Sequence, residues 1–193
     1  MKIKIMLRKY SEVLKKLLSF GKYSSVTYKE RTITLGENEF LIRVVEEKDI
    51  KELLAVERDV YFGQVPWTRT AFLTELRSFA PHLYLVVVYQ SEVIAFLGVR
   101  AQNRDAHITN IAVRSDFQGR GIGHFLLEQA RDFGEGQHAE QLSLEVRLGN
   151  KEAQRLYRRF GFVSDSIMKN YYNETDEDAL TMLYSLKEAE KSQ

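Results

Sequence analysis

The chain has 193 residues, of which 44% are hydrophobic and 28% charged, the size and balance of one soluble globular domain with a full core. It has no cysteine, which excludes disulfides, thiolate zinc sites and a cysteine nucleophile and fits a reducing compartment. The net charge of +1 is unevenly spread: eight lysines and arginines against Glu12 give residues 1–29 a charge of +7, which leaves −6 on the remainder, so a basic arm that either docks on the body or has its own partner is joined to an acidic body.

Residues 1–20 carry Ile3, Met6, Leu7, Tyr10, Val13, Leu14, Leu17 and Leu18 at helical, one-faced spacing, with lysines and arginines around them. The charges interrupt it too often for a secretory signal, and no stretch approaches the roughly 20 apolar residues that span a bilayer. Three roles fit this arm: packing on the body, lying on an anionic membrane surface, or touching ribosomal RNA through its lysines. Residues 21–29 read as a polar linker, which puts the domain boundary at 29/30 and leaves 30–187 as the body and 188–193 as a tail. Residues 31–35 and 40–45 read as strands of a hairpin that turns through Gly36, Glu37 and Asn38.

Asp49 is placed to cap a helix with Ile50, Leu53, Leu54, Val60 and Tyr61 on one face. Residues 63–68 break that pattern and hold Trp67, the one tryptophan, which suits either a lid on the core or a wall of a binding cleft. Thr68 or Thr70 then starts a second helix with Phe72, Leu73 and Leu76 inward. Residues 83–89 are nearly continuous apolar and predict a central strand buried on both faces; 93–100 and 106–113 predict the next two. A helix follows from Gly121, with Ile122, Phe125, Leu126, Ala130 and Phe133 inward, and stops at Gly134 and Gly136. Residues 141–147 form a strand, Asn150 caps a helix over 151–160 that Gly161 closes, and 162–168 and 179–185 are the last strands, joined by an acidic, tyrosine-bearing loop over 169–178. The result is an α/β or α+β single domain around one mixed sheet. The four histidines, His82, His107, His124 and His138, show no metal-ligand spacing and read as surface or lightly packed residues.

Chemistry concentrates where the strand ending in Ile111, Ala112 and Val113 meets Gln118, Gly119, Arg120, Gly121, Ile122 and Gly123. Glycines let the backbone turn tightly and bring several N–H groups against a ligand. Those groups open a helix, so the ligand part expected there is a phosphate or pyrophosphate, with Arg120 adding a cation. Neither the dinucleotide fingerprint nor a P-loop is present. Leu142, Leu144 and Val146 alternate with Ser143, Glu145 and Arg147, which leaves Glu145 either a general base on a strand face or an acid paired with Arg147. Asn150 suits a cap and a ligand contact alike. Tyr157, about two helical turns further on, suits a proton donor or a packing aromatic.

The isoleucine-alanine-valine strand, the glycine turn, and Asn150 with Leu156, Tyr157, Phe160, Gly161 and Phe162 resemble, in order and spacing, the GCN5-related N-acetyltransferases over about residues 39–186. Within them, residues 65–68, Leu144, Glu145, Val146 and Arg147 with Asn150, and Asn170, Tyr171 and Tyr172 with Glu177, Asp178 and Ala179 look like the bacterial ribosomal-protein-alanine N-acetyltransferases. The resemblance implies the GNAT fold: a mostly antiparallel sheet splayed between its fourth and fifth core strands and flanked by helices. It implies acetyl-CoA as co-substrate, no metal and no acyl-enzyme. Ile111, Ala112 and Val113 would present backbone to the pantetheine arm; Gln118, Gly119, Arg120, Gly121, Ile122, Gly123 and His124 would hold the pyrophosphate; Asn150 would touch the CoA arm. Glu145 would deprotonate an incoming α-amine, and Tyr157 would protonate the leaving thiolate. The implied acceptor is the N-terminal alanine of ribosomal protein S18. Beside that resemblance, Tyr171 or Tyr172, with Trp67, suits a wall of the peptide slot, and Glu174, Asp176, Glu177 and Asp178 suit either an acidic side for a basic peptide or a merely solvated loop. A cytoplasmic location and a monomer or weak dimer are the expectations for the chain. His124 stands where this group commonly has arginine, which shifts the expected phosphate grip toward Arg120. Two other readings stay open: an acetyltransferase for lysine side chains or small amines, and a non-catalytic acyl-CoA-binding module.

Overall fold

Continuous apolar runs make the middle of the sheet, and the way its strands alternate sets two cores on its two faces. In the computed structural model, residues 26–61, 63, 65–172 and 175–187 are described; the amphipathic stretch of the arm and the tail at 188–193 lie outside the described residues. Strands β1 (Arg31–Leu35), β2 (Asn38–Val44), β3 (His82–Tyr89), β4 (Glu92–Gln102), β5 (Asp105–Val113), β6 (Gln141–Arg147), β7 (Val163–Tyr172) and β8 (Glu177–Ser185) form one sheet in the order β1-β2-β3-β4-β5-β6-β8-β7. Every neighbouring pair is antiparallel except β5 and β6, which run parallel.

Successive side chains of a strand point to opposite faces. Tyr84 and Val86 of β3 therefore join one core, with Ile50, Leu53 and Val56 of helix α1 (Ile50–Val60) and Phe72 of helix α2 (Arg69–Leu76). Leu83, Leu85 and Val87 join the other, with Ile122, Leu126 and Ala130 of helix α3 (Ile122–Gly136) and Tyr157 of helix α4 (Lys151–Phe160). Thr68 caps α2 by accepting from the Ala71 N–H at 3.1 Å, and Gly161 ends α4 with φ +119°, as the sequence predicts.

The parallel pair decides the architecture of the site. β5 and β6 stay in register only at Asp105 with Gln141, Ala106 with Leu142 and His107 with Ser143; beyond His107 they part. The cause is visible on the other edge of β5. Against β4, Ile108 faces Val99 and Asn110 faces Gly98, so Thr109 is an extra residue, and such a bulge bends and twists its strand. Tyr84 fixes the bulge: its ring crosses Gly98 and its hydroxyl is 2.6 Å from Thr109 Oγ1. A Cβ on Gly98 would lie 2.3 Å from Cζ of this fully buried ring, so the two residues are mutually required. Gly98→Ala is expected to destabilise the fold by about 1–3 kcal/mol through overpacking, seen as a melting temperature lower by about 3–10 °C. Tyr84→Phe, which loses only the hydrogen bond, is expected to cost about 1 kcal/mol; a Gly98→Ala variant as stable as the parent would refute the packing account.

Four expectations change. Residues 26–29 are not a free linker: Val26 donates its N–H to His82 O at 3.0 Å, and the Tyr28 hydroxyl donates to Gln129 Oε1 at 3.0 Å. Asp49 is the N-cap residue of α1, as expected, but its carboxylate takes the Glu46 N–H (2.8 Å) and the Arg43 guanidinium (2.6 Å) instead of a helix amide. That guanidinium holds the carboxyl below its usual range against the opposing cost of burial. His82 is buried, with Nδ1 2.9 Å from Ala80 O. The presumed loop over 169–178 is mostly strand: β7 runs to Tyr172 and β8 begins at Glu177, with Tyr172 and Glu177 paired. β7 is an edge strand exposed on nearly all its length, so its sequence carries no apolar alternation to betray it.

Candidate active site

Where β5 and β6 diverge they leave a cleft of ≈ 970 Å³. At one end stands the glycine turn. Gly119 has φ +75° and Gly121 φ +87°, yet a Cβ on either would meet nothing within 4 Å. They are glycines for the backbone conformation, not for space. Gly123 is the reverse case: a Cβ there would lie 2.9 Å from Leu156 Cδ2, so it lets α3 and α4 approach. Gln118 steadies the turn by donating from Nε2 to Val113 O at 2.9 Å. The result is the N-terminus of a 15-residue helix, whose first amides have no intrahelical acceptor, opening on the cleft beside Ile111, Ala112 and Val113.

Gln118, Gly119, Gly121, Gly123, His124 and Asn150 line this end. Two expected members do not. Ile122 sends its side chain into the core. Arg120 donates from its guanidinium to Asp116 O at 2.9 Å and lies over the Phe117 ring at 5.0 Å, so the cation expected to compensate for His124 is engaged away from the turn. His124 is exposed, with its ring 5.2 Å from Phe160. Asn150 caps α4 through Oδ1, which accepts from Ala153 N at 3.1 Å, and keeps its amide N–H groups for another partner.

The other end gathers the titratable groups. Glu145 and Tyr157 both line the cleft. Tyr157 is 7% exposed, its ring packs 5.9 Å from Phe162, and burial, then the neighbouring Tyr61 and Tyr172, push its phenol well above the ordinary range. Burial also raises Tyr172, with Tyr61 and Tyr171 beside it, and Tyr61, with Glu57 beside it. Arg147 tempers that pair: its guanidinium lies 4.3 Å from the Tyr172 ring centre and 5.9 Å from that of Tyr61. It is ion-paired with Glu177 and donates to Thr175 Oγ1 at 2.6 Å. So the Glu145–Arg147 pair considered from sequence does not form. Glu145 meets His107 instead, Oε2 to Nε2 at 3.3 Å.

The third wall rests on a buried acid that sequence reasoning missed. Glu57 of α1, fully buried, takes the Trp67 N–H at 3.0 Å and the Asn110 side-chain amide at 2.9 Å. Burial raises its carboxyl and those two bonds oppose the rise. One side chain thus ties the Trp67 loop to β5. Trp67 does both things expected of it: its ring packs 5.2 Å from Phe72 and it lines the cleft, as do Tyr171 and Tyr172. The acidic loop is less acidic than it reads, because Glu177 is taken by Arg147 and Asp178 by Lys169 at 2.6 Å; Glu174 lies outside the described residues.

Residues 48–162 match the acetyltransferase (GNAT) family. A Mycobacterium tuberculosis protein named N-alpha-acetyltransferase RimI is 32% identical over 139 residues, 69% of this chain and 85% of its own. The Escherichia coli K12 ribosomal protein bS18-alanine N-acetyltransferase is 34% identical over 119 residues, 61% of this chain and 79% of its own. The crystal structure of the ribosomal-protein-S18-alanine N-acetyltransferase from Escherichia coli superposes with a TM-score of 0.67 at 28% identity, covering 80% of this chain and 98% of that one. With a family model over more than half of its length and a relative of 32% identity matched over 69% of it, the chain belongs to the acetyltransferase (GNAT) family.

Proposed function

We propose that the chain moves the acetyl group of acetyl-CoA to the N-terminal amine of a protein, with the N-terminal alanine of ribosomal protein S18 as acceptor. The observation that carries the reading is that Glu145 and Tyr157 open into one cleft whose far end is a helix N-terminus built on glycines. The names of the relatives at 32–34% identity supply the acceptor.

The residues fit the co-substrate. Amides of the turn face a pyrophosphate, and the helix dipole favours its charge. Peptide groups of Ile111, Ala112 and Val113, unpaired with β6, run along the pantetheine arm, and a backbone N–H there polarises the thioester carbonyl. The amide of Asn150 contacts the same arm. Glu145 takes a proton from the acceptor's ammonium, and Tyr157 holds the departing sulfur. Trp67, Tyr171 and Tyr172 wall the acceptor slot, and the basic N-terminal arm meets an anionic surface.

The α-amine follows from proton affinity. An α-amine of pKa about 7.7–8.0 is about 10% neutral at pH 7, whereas a lysine amine of pKa about 10.4 is neutral in only about 0.04% of molecules. A carboxylate base such as Glu145 therefore has far less to do for the first than for the second. Incubation with acetyl-CoA and equal amounts of two peptides, one with a free N-terminal alanine and no lysine, one N-terminally blocked with a lysine, followed by mass spectrometry, is expected to show at least about 10²-fold preference for the first. Equal labelling, or preference for the lysine peptide, would overturn the assignment.

A further inference from the structure

We propose that His107 is the proton-holding partner of Glu145, so that the base of the reaction is the His107–Glu145 pair and not the carboxylate alone. This rests on Glu145 acting as the base. Nothing in the sequence pattern singles out His107, but its surroundings assign its protons.

The hydroxyl of Ser143 donates to Asp105 Oδ2 at 2.6 Å. A hydroxyl has one hydrogen to give. The Ser143 Oγ must therefore act as acceptor toward the other group on it, Nδ1 of His107 at 2.9 Å, which fixes the hydrogen of a neutral imidazole on Nδ1. Nε2 is then bare in the neutral ring, and it faces Glu145 Oε2 at 3.3 Å. A lone pair against a carboxylate is repulsive, while one added proton between the two atoms makes a charge-assisted hydrogen bond. The geometry therefore offers one position for a proton, between Oε2 and Nε2.

The other groups around the ring do not supply that proton. Arg100 lies directly across on β4 but is held by Glu75 at 2.9 Å. Asp105 is turned to Ser143. Tyr171 adjoins Glu145, which raises its phenol after burial does. His107 is the more open of the two partners, 29% against 17% exposed at the side chain, so it is the side from which the proton leaves to solvent.

In the reaction, an N–H bond of the acceptor's ammonium breaks and its proton comes to rest between Oε2 and Nε2. The freed electron pair on nitrogen bonds the acetyl carbon, and the carbon–sulfur bond breaks with its electron pair staying on sulfur. Tyr157 gives sulfur a proton and regains one from the nitrogen that becomes the amide. His107 then releases the stored proton to water, and the pair is empty again.

Two measurements test this. The first is the pH profile of kcat/KM on an N-terminal-alanine peptide for the wild type, His107→Gln and Glu145→Gln, with acetyl-CoA binding measured calorimetrically on each. His107→Gln is expected to bind acetyl-CoA as the wild type does, to be about tenfold slower at pH 7, a fraction of the full general-base effect, and to approach the wild type by pH 9, where the amine arrives neutral. A wild-type rate and profile in His107→Gln alongside a slow Glu145→Gln overturns the pairing and leaves Glu145 as base. A wild-type rate in Glu145→Gln overturns both. The second is independent of how the variants fold: nitrogen-15 NMR of the wild-type imidazole is expected to show the Nδ1–H tautomer at high pH, and an Nε2–H tautomer would overturn the proposal.

Discussion

Tyr157→Phe is expected to lower kcat by about 10²-fold or more while changing KM for acetyl-CoA only a few-fold. The argument starts from burial. The phenol sits 7% exposed between α4 and the cleft, and removal from water, with Tyr61 and Tyr172 close by, raises its proton affinity. An ordinary thiol has a pKa of about 8.5, so Tyr157 holds its proton more tightly than a free thiolate would. The role proposed for it is then to donate a hydrogen bond that strengthens as charge collects on sulfur, with the proton crossing only as the carbon–sulfur bond gives way. Such a bond counts in the transition state and little in the ground state, which is why kcat and not KM carries the loss. Steady-state kinetics with acetyl-CoA varied at saturating peptide decide it: a raised KM with unchanged kcat would make Tyr157 a wall and not a donor. Because the ring's packing on Phe162 is kept in the variant, its melting temperature is expected to stay near that of the parent.

The parts of this site that were legible in the sequence are those whose requirement is local. The turn from Gln118 to Gly123 announces itself because a left-handed backbone needs glycine at Gly119 and Gly121. β6 and α4 have the bounds their apolar alternation, cap and closing glycine predict. What was illegible depends on contacts across the sheet. Glu145 is 38 positions from His107, and only the parallel register of β5 and β6 brings them together. Arg147, two residues from Glu145 on the same strand face, was the natural partner on paper, but β8 lies on that side of β6 and offers Glu177. The bulge at Thr109 has no local signal, since Gly98 and Tyr84, which shape it, sit on two other strands. Glu57 reads as one more polar residue on an amphipathic helix; its burial follows from the Trp67 loop folding over it.

Glu145→Gln is expected to reduce kcat/KM on an N-terminal-alanine peptide at pH 7 by about 10²–10⁴-fold, the usual worth of a positioned base, and the deficit is expected to shrink as pH rises. The sign follows from the substrate. Below the amine's pKa of about 7.7–8.0 nearly every acceptor arrives as an ammonium and something in the cleft must remove its proton; above it the amine arrives neutral and the base is dispensable. At pH 9 about nine in ten α-amines are neutral, so the variant loses most of its handicap there. A residue that only positioned the peptide would give a deficit independent of pH, because glutamine keeps the shape and loses only the proton affinity. The same experiment on a lysine peptide sharpens the reading: at pH 9 only about 4% of ε-amines are neutral, so rescue by alkali is expected to be far weaker. A pH-independent loss, or rescue of equal size with both acceptors, would remove Glu145 from the role of base.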